Sequence, residues 1–215
     1  MRIVSISDLH GNLINIPKCD CLLISGDLVP TNCINGRDAD RWLNSKFYDW
    51  LSYIKEDGID IFGVAGNHDF TFQDRPEMIR PDMPWTYLED SGVVYKGYNI
   101  WGTPWQPTFG GWAFNLDEWQ LAEKWKLIPE DTHILLSHGP PWGIADRCGN
   151  KHVGSNSLRQ TVEALTKLRV MSCGHIHHER GVYKLNNGSS VLSSSLVNGQ
   201  YILTNKPLVI DIQEK

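Results

Sequence analysis

Five short apolar runs, each stopping at a glycine, serine or aspartate, constrain the fold of this chain more than any other feature. They are RIVSIS (2–7), CDCLLISG (19–26), IDIFGVAG (59–66), THILLSHG (132–139) and LRVMSCGH (168–175). Runs this short, apolar at consecutive positions, read as strands buried on both faces, and such strands need further layers packed on either side. Between the second and third runs, Ala39, Leu43, Phe47, Leu51 and Ile54 follow the spacing of an amphipathic helix over 38–58, with Asp38 as candidate N-cap and Gly58 as the stop. Two more helical patterns, at roughly 117–127 and 156–168, precede the fourth and fifth runs. The alternation predicts an α/β core. The tail, 181–213, has short alternating runs separated by Asn-Gly signals and reads as antiparallel hairpins. Together with GVVYKGYNIWGTP (92–104), it predicts a mixed two-sheet sandwich. The proline-rich piece 70–90 reads as a surface loop that overhangs a site.

Composition narrows the class. A chain of 215 residues, 41% hydrophobic, is long enough for one well-buried core, so one domain over 1–215 is expected. The first residues run straight into a strand pattern with no signal-peptide core, and no apolar run approaches the ~18 residues of a membrane span. Five cysteines are an odd number without a zinc-type spacing. These features predict a cytoplasmic protein with no membrane association. A net charge of −5 argues against binding long nucleic acid through a basic face.

The residues at the C-terminal ends of the strands carry the chemistry. Asp8 and His10 end the first run and would share a side if extended geometry persists; Asp27 ends the second, Asn67 and His68 the third, His138 the fourth, and His175 and His177 the fifth. Each alone has an ordinary explanation as a turn or cap residue. Five strands converging on one sheet edge with carboxylate, imidazole and carboxamide do not, because that edge is where open α/β sheets bind ligands. Setting His68 aside, two Asp, one Asn and four His form a mixed nitrogen and oxygen set suited to Mn, Fe, Zn, Co or Ni. Seven donors exceed one tetrahedral site, whereas two divalent ions sharing one carboxylate would use them all. Their residual positive charge would let an acidic protein hold phosphate.

Asp8-x-His10, Gly26-Asp27, Gly66-Asn67-His68-Asp69, His138 and Gly174-His175-x-His177 together resemble the calcineurin-like metallophosphoesterase superfamily. GTPWQPTFGGWAFN, IPEDTHILLSHGPPWG, HVGS and CGHIHHERGVY look like the metallophosphoesterase-domain (fetal brain 239) branch, close to the class III cyclic nucleotide phosphodiesterases. The resemblance implies a four-layer α-β-β-α sandwich of two mixed sheets with a metal site at the C-terminal strand ends. It also implies that Asp8, His10 and His177 hold one ion and Asn67, His138 and His175 the other, with Asp27 bridging. Manganese is the favoured ion for activity. His68 is then the catalytic histidine, a general acid for the leaving group, although a further ligand role for it stays open. Some relatives in this branch carry glycine in place of His175; this chain retains histidine, which implies an active enzyme.

The run Gly26-Asp27-Leu28-Val29-Pro30-Thr31-Asn32 lacks the second aspartate and the arginine of the protein phosphatases, so phosphoprotein substrates are not expected, and the group orienting His68 has no sequence signature. The expected activity is hydrolysis of small phosphodiesters such as 2′,3′- or 3′,5′-cyclic nucleotides. The rivals are a non-catalytic scaffold on the same fold and a monoesterase or nuclease. For the substrate, Trp105, with Phe109 and Trp112, follows a Gly-Thr-Pro turn that can lean over the metals, and Arg147, Lys151 and His152 lie in a loop that can reach phosphate or ribose; core packing and a solvated loop are the plainer alternatives. His133 and His178 read as structural.

Overall fold

The computed structural model describes residues 1–213. The strands in chain order are β1 (Arg2–Ile6), β2 (Cys21–Ser25), β3 (Asp60–Val64), β4 (Thr86–Tyr87), β5 (Ser91–Tyr95), β6 (Tyr98–Thr103), β7 (Gln106–Pro107) and β8 (Asn115–Leu116). They continue with β9 (Ile134–Ser137), β10 (Arg147–Cys148), β11 (Lys151–His152), β12 (Val170–Cys173), β13 (Gly181–Lys184), β14 (Ser190–Ser193) and β15 (Leu208–Asp211). One sheet has the order β15-β1-β2-β3-β4 and the other β13-β14-β12-β9-β6-β5. Both are mixed: β1, β2, β3 and β4 run parallel with β15 antiparallel at the edge, and β6, β9, β12 and β14 run parallel between antiparallel β5 and β13.

Alternation along each strand builds the layers, since successive side chains point to opposite faces. Ile3, Leu23, Phe62 and Val64 face across to Ile100, Ile134 and Leu136 of the other sheet, forming the core between the sheets. Their neighbours Val4, Leu22, Ile24 and Ile61 face outward onto Leu43, Phe47, Leu51 and Ile54. On the far side Leu135, Met171 and Val191 pack against Leu121, Trp125, Leu158 and Val162. The result is the expected α-β-β-α stacking, with the apolar residues of the five runs buried on one face or the other.

The helix predicted over 38–58 consists of α1 (Gly36–Trp42) and α2 (Tyr48–Glu56) joined through a π-helical turn, Leu43–Phe47. The wider turn lets Ala39, Leu43, Phe47, Leu51 and Ile54 all stay buried on one side. The N-cap is Asn35, whose side-chain oxygen accepts from Gly36 N–H at 2.6 Å, and not Asp38, which lies in the first turn. Segment 70–90 is not the loose overhang expected. It opens with the short helix α3 (Phe70–Asp74) and buries Thr71, Phe72 and Leu88, with Trp85 and Tyr87 stacked at 5.8 Å against the first core. Helix α4 (Glu118–Trp125) starts from a capping box between Asp117 and Gln120, and α5 (Asn156–Ala164) from a Ser155 cap, ending four residues short of the predicted bound because Leu165 is extended. The tail is one hairpin, β13 with β14; β15 leaves it and pairs with β1 in the other sheet. No helix among the described residues is long and apolar enough to cross a membrane.

Candidate metal centre

The five runs do not share one sheet edge. β1, β2 and β3 belong to the first sheet and β9 and β12 to the second, and their C-terminal ends meet across the interface. Asp8, His10, Asp27, Asn67 and His68 therefore approach from one side, and His138, His175 and His177 from the other. Extended geometry does not persist past β1: Asp8 and His10 have φ of 51° and 43°, and Asp27 and His175 have 53° and 69°. Left-handed backbone at four β-carbon residues is sparsely populated and holds about 1–3 kcal/mol of strain at each. It turns four polar side chains inward at the ends of strands that would otherwise direct them to alternate faces.

Two donor groups result. In the first, ligand atoms of Asp8, His10, Asp27 and His177 lie within 4.8 Å of one another, with His10 Nε2 3.3 Å from His177 Nε2 and 3.5 Å from Asp27 Oδ2, and His177 Nε2 3.4 Å from Asp8 Oδ1. In the second, Asn67 Oδ1 lies 2.8 Å from both His138 Nε2 and His175 Nδ1, and His138 Nε2 is 3.5 Å from Asp27 Oδ1. Asp27 faces both groups, one oxygen to each.

Hydrogen bonding tests whether this set suits a cation. His138 Nδ1–H donates to the Ser25 carbonyl at 2.8 Å, and burial lowers the His138 pKa, so the ring is neutral with an unprotonated Nε2. That lone pair faces the amide oxygen of Asn67 at 2.8 Å, two acceptors in contact, with Asp27 Oδ1 3.5 Å away. His177 is oriented similarly, its Nδ1–H donating to the Asn198 carbonyl at 3.2 Å. Convergent acceptors, imidazoles held from behind by carbonyls, and nearly complete burial fit divalent ions held by Asp8, His10, Asp27, Asn67, His138, His175 and His177.

Electrostatics of the bare centre agree. Burial and the charges of Asp8 and Asp69 push the Asp27 carboxyl well up. Burial opposes charge on Asp8 too, but the neighbouring His177 outweighs it and holds Asp8 below the usual carboxylate range. Burial lowers His10 and His175 to about 3. Asp69 is not part of either group. It is fully buried and accepts from Leu28 N–H (2.9 Å), Val29 N–H (3.2 Å) and Gly66 N–H (2.7 Å), locking the β2 and β3 loops together.

His68 stands beside these groups, its Nε2 4.0 Å from Asp27 Oδ2 and its backbone N–H donating to Asp27 Oδ1 at 2.8 Å. The ring stacks on Trp112 at 4.4 Å, and its Nδ1 is buried with no partner among the described residues. Burial lowers its pKa to about 4, so in the bare centre it is neutral near pH 7; an anion beside it raises that value. Trp112 stacked on one side and His10 edge-on at 4.7 Å pack this ring.

A cavity of about 590 Å³ opens over the centre, lined by His68, Phe109, Trp112, His175, His177 and Tyr201 among others. Trp105 is not on its wall. Its indole N–H donates to Asp90, Lys124 lies 4.3 Å over its ring, and Phe114 packs beside it at 5.3 Å, so it serves the core. Arg147 and His152 also lie off the wall; their hairpin contributes Cys148 and Val153 instead, and His152 pairs with buried Asp146 at 2.6 Å. His178, read as structural, does line the cavity. Tyr201 had no signal beyond an Asn-Gly turn in the tail.

Residues 1–179 match the family described as calcineurin-like phosphoesterase. The chain belongs to this family. Metallophosphoesterase domain-containing protein 1 of Homo sapiens is 33% identical over 241 residues, covering 98% of this chain and 71% of the relative. A UPF0046 protein of Caenorhabditis elegans is 30% identical, covering 100% of this chain and 76% of its own length. Among solved structures, a Thermus thermophilus protein aligns with TM-score 0.58 at 16% identity over 89% of this chain and 88% of that one. A dimetal phosphatase from Danio rerio aligns with TM-score 0.53 at 12% identity over 95% and 88%. At such identities the likeness is one of fold. For a calcineurin-like phosphoesterase, metal-dependent hydrolysis of phosphoric esters is the family chemistry, and the Asp and His cluster that it uses is present here.

Proposed function

We propose that this calcineurin-like phosphoesterase is a dinuclear-metal phosphodiesterase for small diesters such as 2′,3′- or 3′,5′-cyclic nucleotides. The observation that carries the reading is Asp27, whose two oxygens face two separate donor groups while His68 lies 4.0 Å away and outside both. Asp8, His10 and His177 would hold one ion, Asn67, His138 and His175 the other, and Asp27 both. Bound there, two divalent ions would supply Lewis-acid chemistry, lowering the pKa of water towards neutrality and offsetting phosphate charge.

The protein's own groups do the rest. Ser25 and Asn198 carbonyls fix the tautomers of His138 and His177. Trp112 excludes water from one face of His68 and holds it beside the centre, where an incoming phosphate anion raises its proton affinity and makes it a donor to the departing oxygen. Among the described residues, no lysine or arginine lines the cavity. A diester monoanion suits that lining better than a monoester dianion, whose extra charge usually calls for an arginine or lysine clamp.

The test is hydrolysis of bis-p-nitrophenyl phosphate with Mn²⁺, against His68→Ala and against p-nitrophenyl phosphate. The expected results are metal-dependent turnover, a loss of about 10²–10⁴-fold in His68→Ala and preference for the diester. Turnover without metal, or a variant as active as the parent, contradicts the proposal. A scaffold role is separated by metal analysis, since it does not require about two ions per chain.

A further inference from the structure

Beyond residue 179, where the family match ends, the tail brings Gly199 and Tyr201 to the cavity, and Tyr201 is the one with a side chain to offer. After β14 the chain reaches a turn at 198–202 organised by Asn198. Tyr201 N–H donates to the Asn198 carbonyl at 2.9 Å, Asn198 N–H donates to Ile202 O at 3.0 Å, and the Asn198 side-chain oxygen accepts from Gln200 N–H and Ile202 N–H at 2.9 and 3.1 Å. The same Asn198 carbonyl accepts from His177 Nδ1. The turn is thus tied to a histidine of the centre.

Tyr201 sits in this turn with φ of +60°, a conformation that glycine or asparagine adopts with less strain. Its ring lies 4.8 Å from His10 at 86°, 5.2 Å from His177 at 82° and 6.0 Å from His68, yet the residue remains 43% exposed. Trp112 packs on His68 at 4.4 Å in a different, stacked orientation of 21°, with Phe109 continuing that wall over His175 at 5.0 Å. A residue serving only the turn gains nothing from a bulky, half-exposed ring in a strained conformation. Backbone strain retained at a site is a pointer to function.

We infer that Tyr201 and Trp112 are the two walls of a slot beside His68 that takes a planar aromatic ester substituent of a phosphodiester, and that Tyr201 sets the preference for it. The inference rests on the phosphodiesterase reading. Both rings abut His68, so a group esterified to a phosphate held at the centre lies against one or both of them. Tyr201 lines the cavity and stays part-exposed, and stacking on an aromatic face favours planar over alkyl groups.

The experiment compares phenyl p-nitrophenyl phosphate with methyl p-nitrophenyl phosphate, which share a leaving group, using the Mn²⁺-loaded chain and its Tyr201→Phe, Tyr201→Ala and Tyr201→Gly variants. Calorimetry with phenyl phosphate and methyl phosphate gives a binding readout that needs no turnover. The expected result is that Ala and Gly lose about tenfold of the phenyl preference in kcat/KM, mostly through KM, and a similar factor in the binding ratio. Phe keeps both, and Gly melts at or above the wild-type temperature because it relieves the turn. The inference is overturned if Ala and Gly keep the preference, or if Phe loses as much as Ala. A wild type inert toward both esters overturns the hydrolase reading, and the slot then stands or falls on whether phenyl phosphate binds more tightly than methyl phosphate and loses that advantage in Tyr201→Ala.

Discussion

At the scale of single residues, the centre gathers carboxylate, amide and imidazole ligand atoms in a set that suits a cation. Asp27 makes the sharpest case, since it faces both donor groups. Replacing it with alanine is expected to reduce bound Mn²⁺ from about two ions to below one per chain and to lower turnover by more than about 100-fold, as metal analysis and a diesterase assay will show. Retention of two ions would refute a bridging role. The histidines set an acid limit on the metal-stripped protein. His10 and His175 titrate at about 3 in the folded chain, mainly because burial disfavours their charged forms, against an ordinary value of 6.5. Between those values the unfolded chain binds more protons, so their contribution is full above about 6.5 and is lost as pH falls towards 3. His68, lowered to about 4 by burial, adds to them, whereas Asp69, raised to about 7 chiefly by burial, and Asp27, also raised by burial, work in the opposite sense above the unfolded value of 3.8. The urea midpoint in excess chelator should therefore decline gently from pH 6.5 to 4 and most steeply from 4 to 3, and a midpoint that is flat across the lower window would contradict the assignment.

At the scale of elements, loops rather than strands carry the site, and a few contacts fix them. Gly26, at φ +91°, and Gly66 bring the β2 and β3 loops into contact; a Cβ on Gly26 would meet Gly66 Cα at 2.7 Å and His138 Nδ1 at 2.6 Å. Asp69 then ties both loops through the N–H groups of Leu28, Val29 and Gly66. Asp69→Ala leaves these three donors buried without an acceptor, and unsatisfied donors cost about 1–3 kcal/mol each where water cannot reach them. Partial relaxation brings the expected loss to about 3 kcal/mol in urea unfolding, together with weaker metal uptake because Asp27 loses its fixed position. A variant as stable as the parent would mean that the loops are held by packing alone.

At the scale of the whole molecule, the two sheets are joined by an apolar core at one end and by polar contacts near the centre. Buried serines from both sheets contact one another there: Ser172 Oγ is 2.6 Å from Ser5 Oγ and from Ser25 Oγ, and Ser5 Oγ is 2.5 Å from Ser194 Oγ. Asp8, Asp27 and Asn67 from the first sheet face His138, His175 and His177 from the second, so bound ions would cross-link the sheets. Mn²⁺ at about a thousand times its dissociation constant should stabilise the fold by about 4 kcal/mol. For a chain of this length that raises Tm by on the order of 10 °C, a shift that thermal unfolding with and without chelator measures. An unchanged Tm would mean that the ions do not bind the folded chain in preference to the unfolded one.

The order of strands and helices, the double-sided burial and the polar strand ends were legible in the sequence because hydrophobic periodicity is a local property of consecutive residues. The family motif made the donor residues legible in the same way. Tertiary structure alone decided that the five strand ends come from two sheets, that left-handed backbone rather than extended geometry turns Asp8 and His10 inward, and that segment 70–90 packs against the first core. It also decided that Trp112 and Tyr201, rather than Trp105, face His68. Which of several aromatic side chains reaches a cavity depends on where long loops cross the ends of the sheets, and those crossings are fixed by contacts between residues far apart in the chain, for which consecutive sequence carries no pattern.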